Sequence, residues 1–249
     1  MKTASNIAGA LILSRREAVA ALAHASDNST RPHCYCVSFD HDRASYSATD
    51  GHRLAIGFAE FAAGEPRERI PRAHPAPGVG LVSRDTLAAA IKACDPKGWI
   101  VAMPDAARGT SIDVYGPHNR GIAFDGTIDG PPIARFPGST HEGVQGPPIA
   151  QLVPPHAWER VPDRDPDADR NARDPIDVPE RESARRVCVD PDYLADAAEF
   201  VRAAHPDAGP RKGKRETGIA FHAPPSPFDP ILVRAPGVAA FVVVMPRRG

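Results

Sequence analysis

The residues best suited to chemistry stand in one short segment, Ala48-Thr49-Asp50-Gly51-His52-Arg53-Leu54-Ala55. Asp50 and His52 are of the types that general acid–base catalysis uses. A working pair would also need a nucleophile or a metal ion, and the neighbouring sequence supplies no such partner. The alternative is a tight Asp-Gly turn, in which the glycine takes a positive φ and the polar side chains bond to the turn. The residue types alone favour the turn over an enzyme site.

Elsewhere the sequence lacks the motifs of catalysis and of nucleotide or metal binding. It has no GxxxxGK loop to cradle a phosphate and no GxSxG nucleophile elbow. The other nine histidines show no ligand spacing, and the four cysteines match neither a zinc pair nor a disulfide framework. We therefore expect a protein that is not an enzyme and uses no cofactor and no metal, with buried free thiols in a reducing compartment.

Composition limits the architecture more than the function. Of the 249 residues 28 are proline, about twice the usual share, which excludes a long coiled coil or an all-helical bundle. The net charge of −1 gives no sign of nucleic-acid binding, so only a local basic face could bind DNA. No apolar run is long enough to span a membrane, and we expect a cytoplasmic protein.

One supersecondary unit recurs along the chain. A short apolar run leads to a capping residue (Ser14, Ser83 or Asp190), and each cap begins an amphipathic helix of about three turns. Strand-like segments follow each helix, so the repeated unit is a strand, a helix and two or three antiparallel strands. The predicted strands are 33–40, 44–61 with a break at Asp50-Gly51, 99–103, 110–115, 119–125, 217–222, 230–234 and 238–245.

The repeat breaks down in a segment rich in proline, aspartate and arginine. Residues 129–186 contain 11 of the 28 prolines, and the run 163–173 is typical of a solvated linker. Within it, 149–153 and 158–161 are predicted remnants of a strand and a helix. We therefore expect two domains, 1–145 and 146–249, the second with a degraded first half over 146–186.

Several of these segments resemble the bacterial sliding clamp, the beta subunit of DNA polymerase III. The segment 48–55 closely resembles the signature ATDGHRLA of that family. Other matching pieces follow in the family's order: the opening helix with Arg31-Pro32, Asp129-Gly130 with Arg135-Phe136-Pro137, 230–233, and the closing 243–249. The resemblance covers roughly residues 7–140 and 184–249, and indicates a shortened, two-domain form.

The resemblance implies an α+β DNA-clamp fold of pseudo-symmetric domains, with helices on one face of antiparallel sheets. Family clamps have three such domains per chain and close as a dimer into a six-domain ring around duplex DNA. This chain resembles the second and third domains, so a homotrimer would be needed to reach six. The implied partners are duplex DNA, DNA polymerase or repair proteins and a clamp loader, and the implied location is the cytoplasm, at the nucleoid.

In the family, the ATDGHRL turn and the C-terminal strand line a hydrophobic pocket that binds short clamp-binding peptides. The corresponding residues here are Thr49, Gly51, His52, Arg53, Leu54, Pro137, Val243, Val244, Met245 and Pro246. Leucine, valine and methionine form an adaptable apolar floor, which suits a site that accepts several partners. Arg247 and Gly249 depart from the family's usual methionine and leucine, so we expect a different partner preference.

Cations on or beside the helices are the candidates for binding DNA phosphates. They are Arg15, Arg16, Arg84, Lys92 and Arg202, with Arg211, Lys212, Lys214 and Arg215 of one loop. Four cations in five residues indicate sequence-independent phosphate binding, although a solvated loop has the same composition. Two functions remain open: a sliding-clamp-like processivity factor, and a non-ring adaptor or decoy that binds replication proteins without encircling DNA.

Overall fold

The computed structural model describes residues 4–6, 9–58, 60–61, 76–105, 109–117, 127–138, 144–146, 149–153, 189–204, 219–222, 230–234 and 240–246. Helices α1 to α5 are Arg15–Ala23, Pro32–Tyr35, Arg84–Ala93, Ile149–Leu152 and Pro191–Ala203. Strands β1 to β7 are Ala4–Asn6, Leu11–Ser14, Cys36–Asp40, Ser45–Thr49, Arg53–Phe58, Glu60–Phe61 and Val79–Ser83. Strands β8 to β14 are Trp99–Asp105, Gly109–Tyr115, Thr127–Asp129, Ala134–Phe136, Ala220–His222, Ile231–Arg234 and Phe241–Val244.

The three longer helices begin at the predicted caps. The Ser14 hydroxyl accepts a hydrogen bond from the Glu17 N–H at 3.2 Å, and the Glu17 carboxylate accepts one from the Ser14 N–H at 2.8 Å. Ser83 accepts from the Thr86 N–H in the same way at the start of α3. Asp190 accepts from the Asp192 N–H, with a proline at the first position of α5. Each such cap contributes about 1 kcal/mol, so these helix starts are set locally.

The described strands form three sheets in which every pair is antiparallel. The orders are β1-β10, β11-β9-β8-β2-β6 and β12-β13-β14-β5-β4-β3-β7. Helices α1, α3 and α5 pack on them through one large core cluster. The α+β class with antiparallel sheets is therefore confirmed.

The first two repeated units exchange their leading strands. Strand β2 precedes α1 but pairs with β8, which follows α3, with Leu13 opposite Ile100. Strand β7 precedes α3 but pairs with β3, which follows the first helix, with Val82 opposite Val37. Each unit thus completes the sheet of the other, which relates them as pseudo-symmetric halves.

The third unit joins the other two through β14. All four of its residues pair with β5, so the seven-stranded sheet contains strands from both sides of residue 145. Helix α5 packs against α1, and its Phe200 forms an edge contact with Tyr46 at 6.1 Å between ring centroids. The two predicted domains therefore share a sheet and a core, and a boundary at residue 145 stays a prediction.

Some segments differ from their predicted secondary structure. The predicted strand 33–40 begins only at Cys36, because residues 33–35 belong to a helical turn that starts at Pro32, a residue that favours the first position of a helix. Residues 149–152 form a turn of helix rather than a strand remnant. The buried side of α5 is formed by Ala197, Phe200, Val201 and Ala203. The predicted pieces 119–125, 158–161 and 163–173 lie outside the described residues.

No helix of the described residues is both long and apolar enough to cross a bilayer.

A buried histidine makes the fold sensitive to pH. His24 is fully buried where α1 ends, its Nδ1 lies 2.9 Å from the Ala20 carbonyl oxygen, and its ring meets Phe200 edge-on. Burial lowers the pKa of His24 from 6.5 to about 4, because water no longer stabilises the charged ring. The neutral tautomer that donates from Nδ1 to Ala20 is therefore the form present in the folded state.

We expect the free energy of unfolding to fall as the pH drops from 7 to 5. The unfolded chain takes up a proton at His24 near pH 6.5, whereas the folded chain resists it until about pH 4. The His24 contribution to this loss is about 2 kcal/mol over that interval. Urea denaturation of the wild type and of His24→Leu at pH 7 and at pH 5 measures the contribution of His24 to this loss. An equal pH dependence in the variant would contradict this origin.

Candidate functional site

The segment between β4 and β5 is a tight turn held by its own side chains. One Asp50 carboxylate oxygen accepts from the backbone N–H groups of His52 and Arg53, at 2.9 and 3.0 Å. The Thr49 hydroxyl donates to the Arg53 carbonyl at 2.7 Å and accepts from the Gly51 N–H at 3.1 Å. Gly51 has a φ of 95°, in the left-handed region that favours glycine. The predicted Asp-Gly turn is present, and its carboxylate serves the turn.

Arg53 connects this turn to two helices. Its Nε donates to Asp50 at 2.9 Å, and its other nitrogens donate to the Asp196 carboxylate of α5 and, at 2.8 Å, to the Ala23 carbonyl of α1. The guanidinium also lies 4.7 Å from the centre of the Tyr193 ring. Burial alone would lower the pKa of Arg53, but hydrogen bonds to the Asp50 and Asp196 carboxylates and their negative charge have the larger effect. The pKa is therefore raised overall, and the group stays charged. The predicted peptide-contacting arginine thus also holds the tertiary structure together.

The C-terminal strand lies directly beside the turn. Val243 and Val244 of β14 pair with Leu54 and Arg53 of β5, and the Met245 N–H donates to the His52 carbonyl at 2.8 Å. The His52 ring stacks on Tyr193, with 6.0 Å between ring centroids. Two segments almost 200 residues apart in sequence are therefore neighbours, as the resemblance to clamps predicts.

A cavity of about 420 Å³ opens at this junction. It is lined by His33, Cys34, Thr49, Gly51, Arg53, Leu54, Gln145, Gly146, Leu152, Val243 and Met245. Most of these contribute apolar surface, and burial raises the pKa of the Cys34 thiol, so this wall carries no thiolate at neutral pH. A mainly apolar cavity of this size with a few polar groups at its edge suits a small apolar ligand or two or three peptide side chains.

Six of the ten predicted pocket residues line this cavity, and four do not. His52 stacks outward on Tyr193, and Pro137 lies exposed after β11 in the five-stranded sheet. Val244 alternates with Val243 along β14 and points into the main core, because successive side chains face opposite sides of a strand. Pro246 is half-buried beyond the strand.

Sequence reasoning missed five of the lining residues. His33 and Cys34 come from the helical turn α2, in a segment that the sequence predicts as the start of a strand. Gln145, Gly146 and Leu152 come from the proline-rich segment 129–186, for which the sequence predicts no binding residue after Pro137. The short apolar run 149–153 was the available signal, but its position against β5 and β14 depends on long-range packing.

The predicted DNA-binding cations differ in how far they are engaged within the protein. Arg15 donates to the Ile91 carbonyl, and Arg84 donates to the carbonyls of Leu22 and Ala25, so both bind the ends of helices. Arg16 forms an ion pair of 2.9 Å with Glu199. Lys92 and Arg202 lie on exposed helix faces. The loop with Arg211, Lys212, Lys214 and Arg215 lies outside the described residues.

The possible metal ligands do not cluster in the described part of the chain. No group of three or more histidine, cysteine, aspartate or glutamate side chains there could hold an ion. Cys34, Cys36 and Cys94 are buried, and burial raises the pKa of each of these thiols.

The exchanged leading strands, with helices packed on antiparallel sheets, define a DNA-clamp fold. The structure is similar to a DNA polymerase sliding clamp from Pseudomonas aeruginosa, with a TM-score of 0.52 and 13% identity over 98% of this chain and 67% of that one. It is also similar to the DNA polymerase III beta subunit of Thermotoga maritima, with a TM-score of 0.52 and 11% identity over 96% of this chain and 65% of that one. The chain thus has the sliding-clamp fold and spans about two thirds of the length of these clamps. No protein-family model and no curated protein sequence matches it.

We expect Arg53→Lys to destabilise the protein by about 2 to 3 kcal/mol, because lysine keeps the charge but cannot bond to Asp50, Asp196 and Ala23 in one plane. The matched control is Arg16→Lys, whose ion pair with Glu199 also reaches α5 but is 43% and 53% exposed. Exposed pairs contribute up to about 1 kcal/mol, so the control should change little. Urea denaturation of both variants measures the difference, and equal losses would argue against the Arg53 linkage.

Proposed function

We propose that this protein is a sliding-clamp-like docking protein. In this proposal the cavity between the Asp50 turn and β14 binds short apolar peptides of DNA polymerase or repair proteins. The observation that carries it is the cavity of about 420 Å³, built from the turn that resembles the clamp signature and from the C-terminal strand. Its floor, Leu54 and Val243, is rigid strand, and its rim includes the exposed, flexible Met245.

The energetics of such a site set how much of a peptide must be buried. Each leucine-sized side chain contributes about 1.5 to 3 kcal/mol on burial, and association itself costs at least about 4 kcal/mol. Two or three apolar side chains are therefore needed for useful affinity, and the cavity has room for that number. Arg53 is already bonded to Asp50 and Asp196, so selection rests on apolar shape more than on charge.

The proposal extends to duplex DNA through the side of the fold where α1, α3 and α5 pack. The exposed cations there are Arg16, Lys92 and Arg202, to which the basic loop 211–215 would add four more. Such side chains contact phosphates without reading the base sequence. A ring would require a homo-oligomer, a trimer by domain number, with a clamp loader to open it, and would place the protein at the nucleoid.

One observation favours the alternative, a non-ring adaptor or decoy. Helices α1, α3 and α5 together carry five basic and five acidic residues, so this side has no net positive charge from its helices. Duplex binding gains most of its affinity from cations that release counterions from phosphates. The basic loop would therefore have to supply most of the attraction, and without it the protein would dock peptides without holding DNA.

We expect Met245→Ala combined with Leu54→Ala to weaken peptide binding more than tenfold, or about 1.4 kcal/mol, because both side chains line the cavity. The probe is a fluorescein-labelled peptide with the clamp-binding segment of a bacterial replicative polymerase, measured by fluorescence anisotropy. Val19→Ala, an exposed apolar residue of α1 outside the cavity lining, is the control and should change the affinity less than twofold.

The double variant could unfold because Leu54 is also a buried strand residue. Met245→Ala alone changes only an exposed side chain, so its binding can be measured in that case. That single variant should bind at least threefold more weakly. Failure of the wild-type protein to bind the peptide, or unchanged binding by folded variants, would rule out docking at this cavity.

We expect replacement of Arg211, Lys212, Lys214 and Arg215 by glutamine to flatten the salt dependence of duplex DNA binding. Each lost phosphate contact lowers the slope of log K against log salt by about 0.9. Arg15→Gln is the control, since its guanidinium is bonded to the Ile91 carbonyl. Native mass spectrometry of the same samples reports the oligomer. An unchanged slope would exclude the loop from the interface, and a strict monomer would favour the adaptor.

A further inference from the structure

Three separate segments meet at one buried histidine. His41 begins a short 3-10 helix, His41–Arg43, between β3 and β4, and the residue is 5% exposed. Its Nδ1 lies 3.1 Å from the Gly9 carbonyl oxygen, and its Nε2 lies 2.8 Å from the Thr110 hydroxyl oxygen. Its backbone N–H donates to the Gly78 carbonyl at 2.9 Å. One residue therefore joins its own turn to three other parts of the chain.

The contacts of His41 lie where the two exchanged strands begin. Gly9 stands just before β2, and Gly78 directly precedes β7. Thr110 is at the start of β9, which touches β7 although the two strands belong to different sheets. The crossing is tight, because a side-chain carbon placed on Gly80 of β7 would overlap Thr110. His41 thus closes the junction between the five-stranded and the seven-stranded sheet.

The hydrogen bonds of the ring fix which nitrogen carries the proton. The Gly9 carbonyl can only accept, so Nδ1 of the neutral ring is protonated and Nε2 accepts from the Thr110 hydroxyl. The same hydroxyl lies 2.8 Å from the Gly109 carbonyl, and its single proton serves one acceptor at a time. A proton added at Nε2 would turn the hydroxyl toward Gly109. The ring would keep its contacts, but it would carry a charge between the two sheets.

This charge is unfavourable in the closed junction. The groups that contact His41 from the three other segments are two carbonyls and a hydroxyl, all of them neutral. Burial lowers the pKa of His41 below its ordinary value of 6.5, because water is kept from the charged ring. An open junction returns the ring to water. The open form therefore takes up a proton more readily than the closed form, and acid favours opening.

The charged groups around the ring reduce this effect without reversing it. Asp40 and Asp42, on either side of the histidine in sequence, raise its pKa, as does the Gly9 contact, but burial has the larger effect. Asp40 also forms an ion pair with Arg43, at 3.9 Å. On the packed strands, Asp105 of β8 lies opposite the first residue of β9.

We propose that His41 is an acid-sensitive latch that holds the starts of both exchanged strands. The neutral ring joins β2, β7 and β9, and its protonation opens the junction. The backbone of the same turn also favours opening, since Ala44, which ends it, has a φ of 48° and is 3% exposed. A left-handed alanine is strained and persists only where the surrounding contacts hold it. The latch does not depend on the proposed docking of peptides or binding of DNA.

Amide hydrogen exchange on the full-length chain tests the latch. It is followed by NMR at pH 7 and at pH 5 and corrected for the intrinsic pH dependence of exchange. We expect the protection of amides in β2, β7 and β9 to fall about tenfold at pH 5, relative to the amides of β13 and β14. The strands of the third unit serve as the internal reference because they are not exchanged between the first two units.

Two variants assign the effect to His41. His41→Gln keeps a neutral group that can donate and accept but cannot take up a proton, so its relative protection should differ less than twofold between the two pH values. His24→Leu removes a buried histidine outside the junction and should keep the tenfold fall. A tenfold fall in His41→Gln, or no fall in the wild type, would overturn the latch.

A measurement on the wild-type ring keeps the proposal testable if His41→Gln fails to fold. The nitrogen chemical shifts of His41 at pH 7 should show a proton on Nδ1 and none on Nε2. Thr110→Val removes the hydroxyl partner and nearly preserves the shape of the side chain. It should lower the relative protection of β2, β7 and β9 at least threefold at pH 7. A proton on Nε2 at pH 7, or unchanged protection in folded Thr110→Val, would contradict the proposal.

Discussion

The antiparallel pairing of β14 with β5 is the interaction on which the rest of this molecule depends. Four residues, 241–244, add the third repeated unit to a sheet that the first two units build between them. Arg53, at the start of β5, reinforces the join by bonding to its own turn, to the end of α1 and to Asp196 of α5. Burying this guanidinium requires several partners at once, since a buried charge left unpaired is costly. The turn, the strand and the helix therefore hold their positions together.

The cavity between the Asp50 turn and β14 is a consequence of that join. One side of β5 and β14 is covered by α1 and α5, and the other would be exposed apolar sheet. Helix α4 covers part of this outer side through Ile149 and Val153, and the part that it leaves open is the cavity. The segment predicted to be a degraded repeat thus packs on the sheet through α4, and Leu152 of α4 borders the cavity.

The relation between the fold and its charges bears on the choice between a ring and an adaptor. At 11–13% identity to the two clamps compared above, the chain has the same fold, so the fold alone does not fix the charges on its surface. Arg15 and Arg84 are bonded to helix carbonyls, and Arg16 to a glutamate of α5. In the proposed function, peptide docking would rest on the packed junction, whereas DNA binding would rest on long, exposed side chains whose effect depends on their carboxylate neighbours.

The sequence by itself determined the features that depend on near neighbours. The caps at Ser14, Ser83 and Asp190, the turn at Asp50-Gly51 and the repeated unit follow from residues a few positions apart, and the motif resemblance correctly indicated the clamp fold. Only the tertiary structure decided which leading strand completes which sheet, that Val244 faces the core, and that Leu152 borders the cavity. These depend on contacts between distant segments, where burial and pairing outweigh the local preference of any one residue.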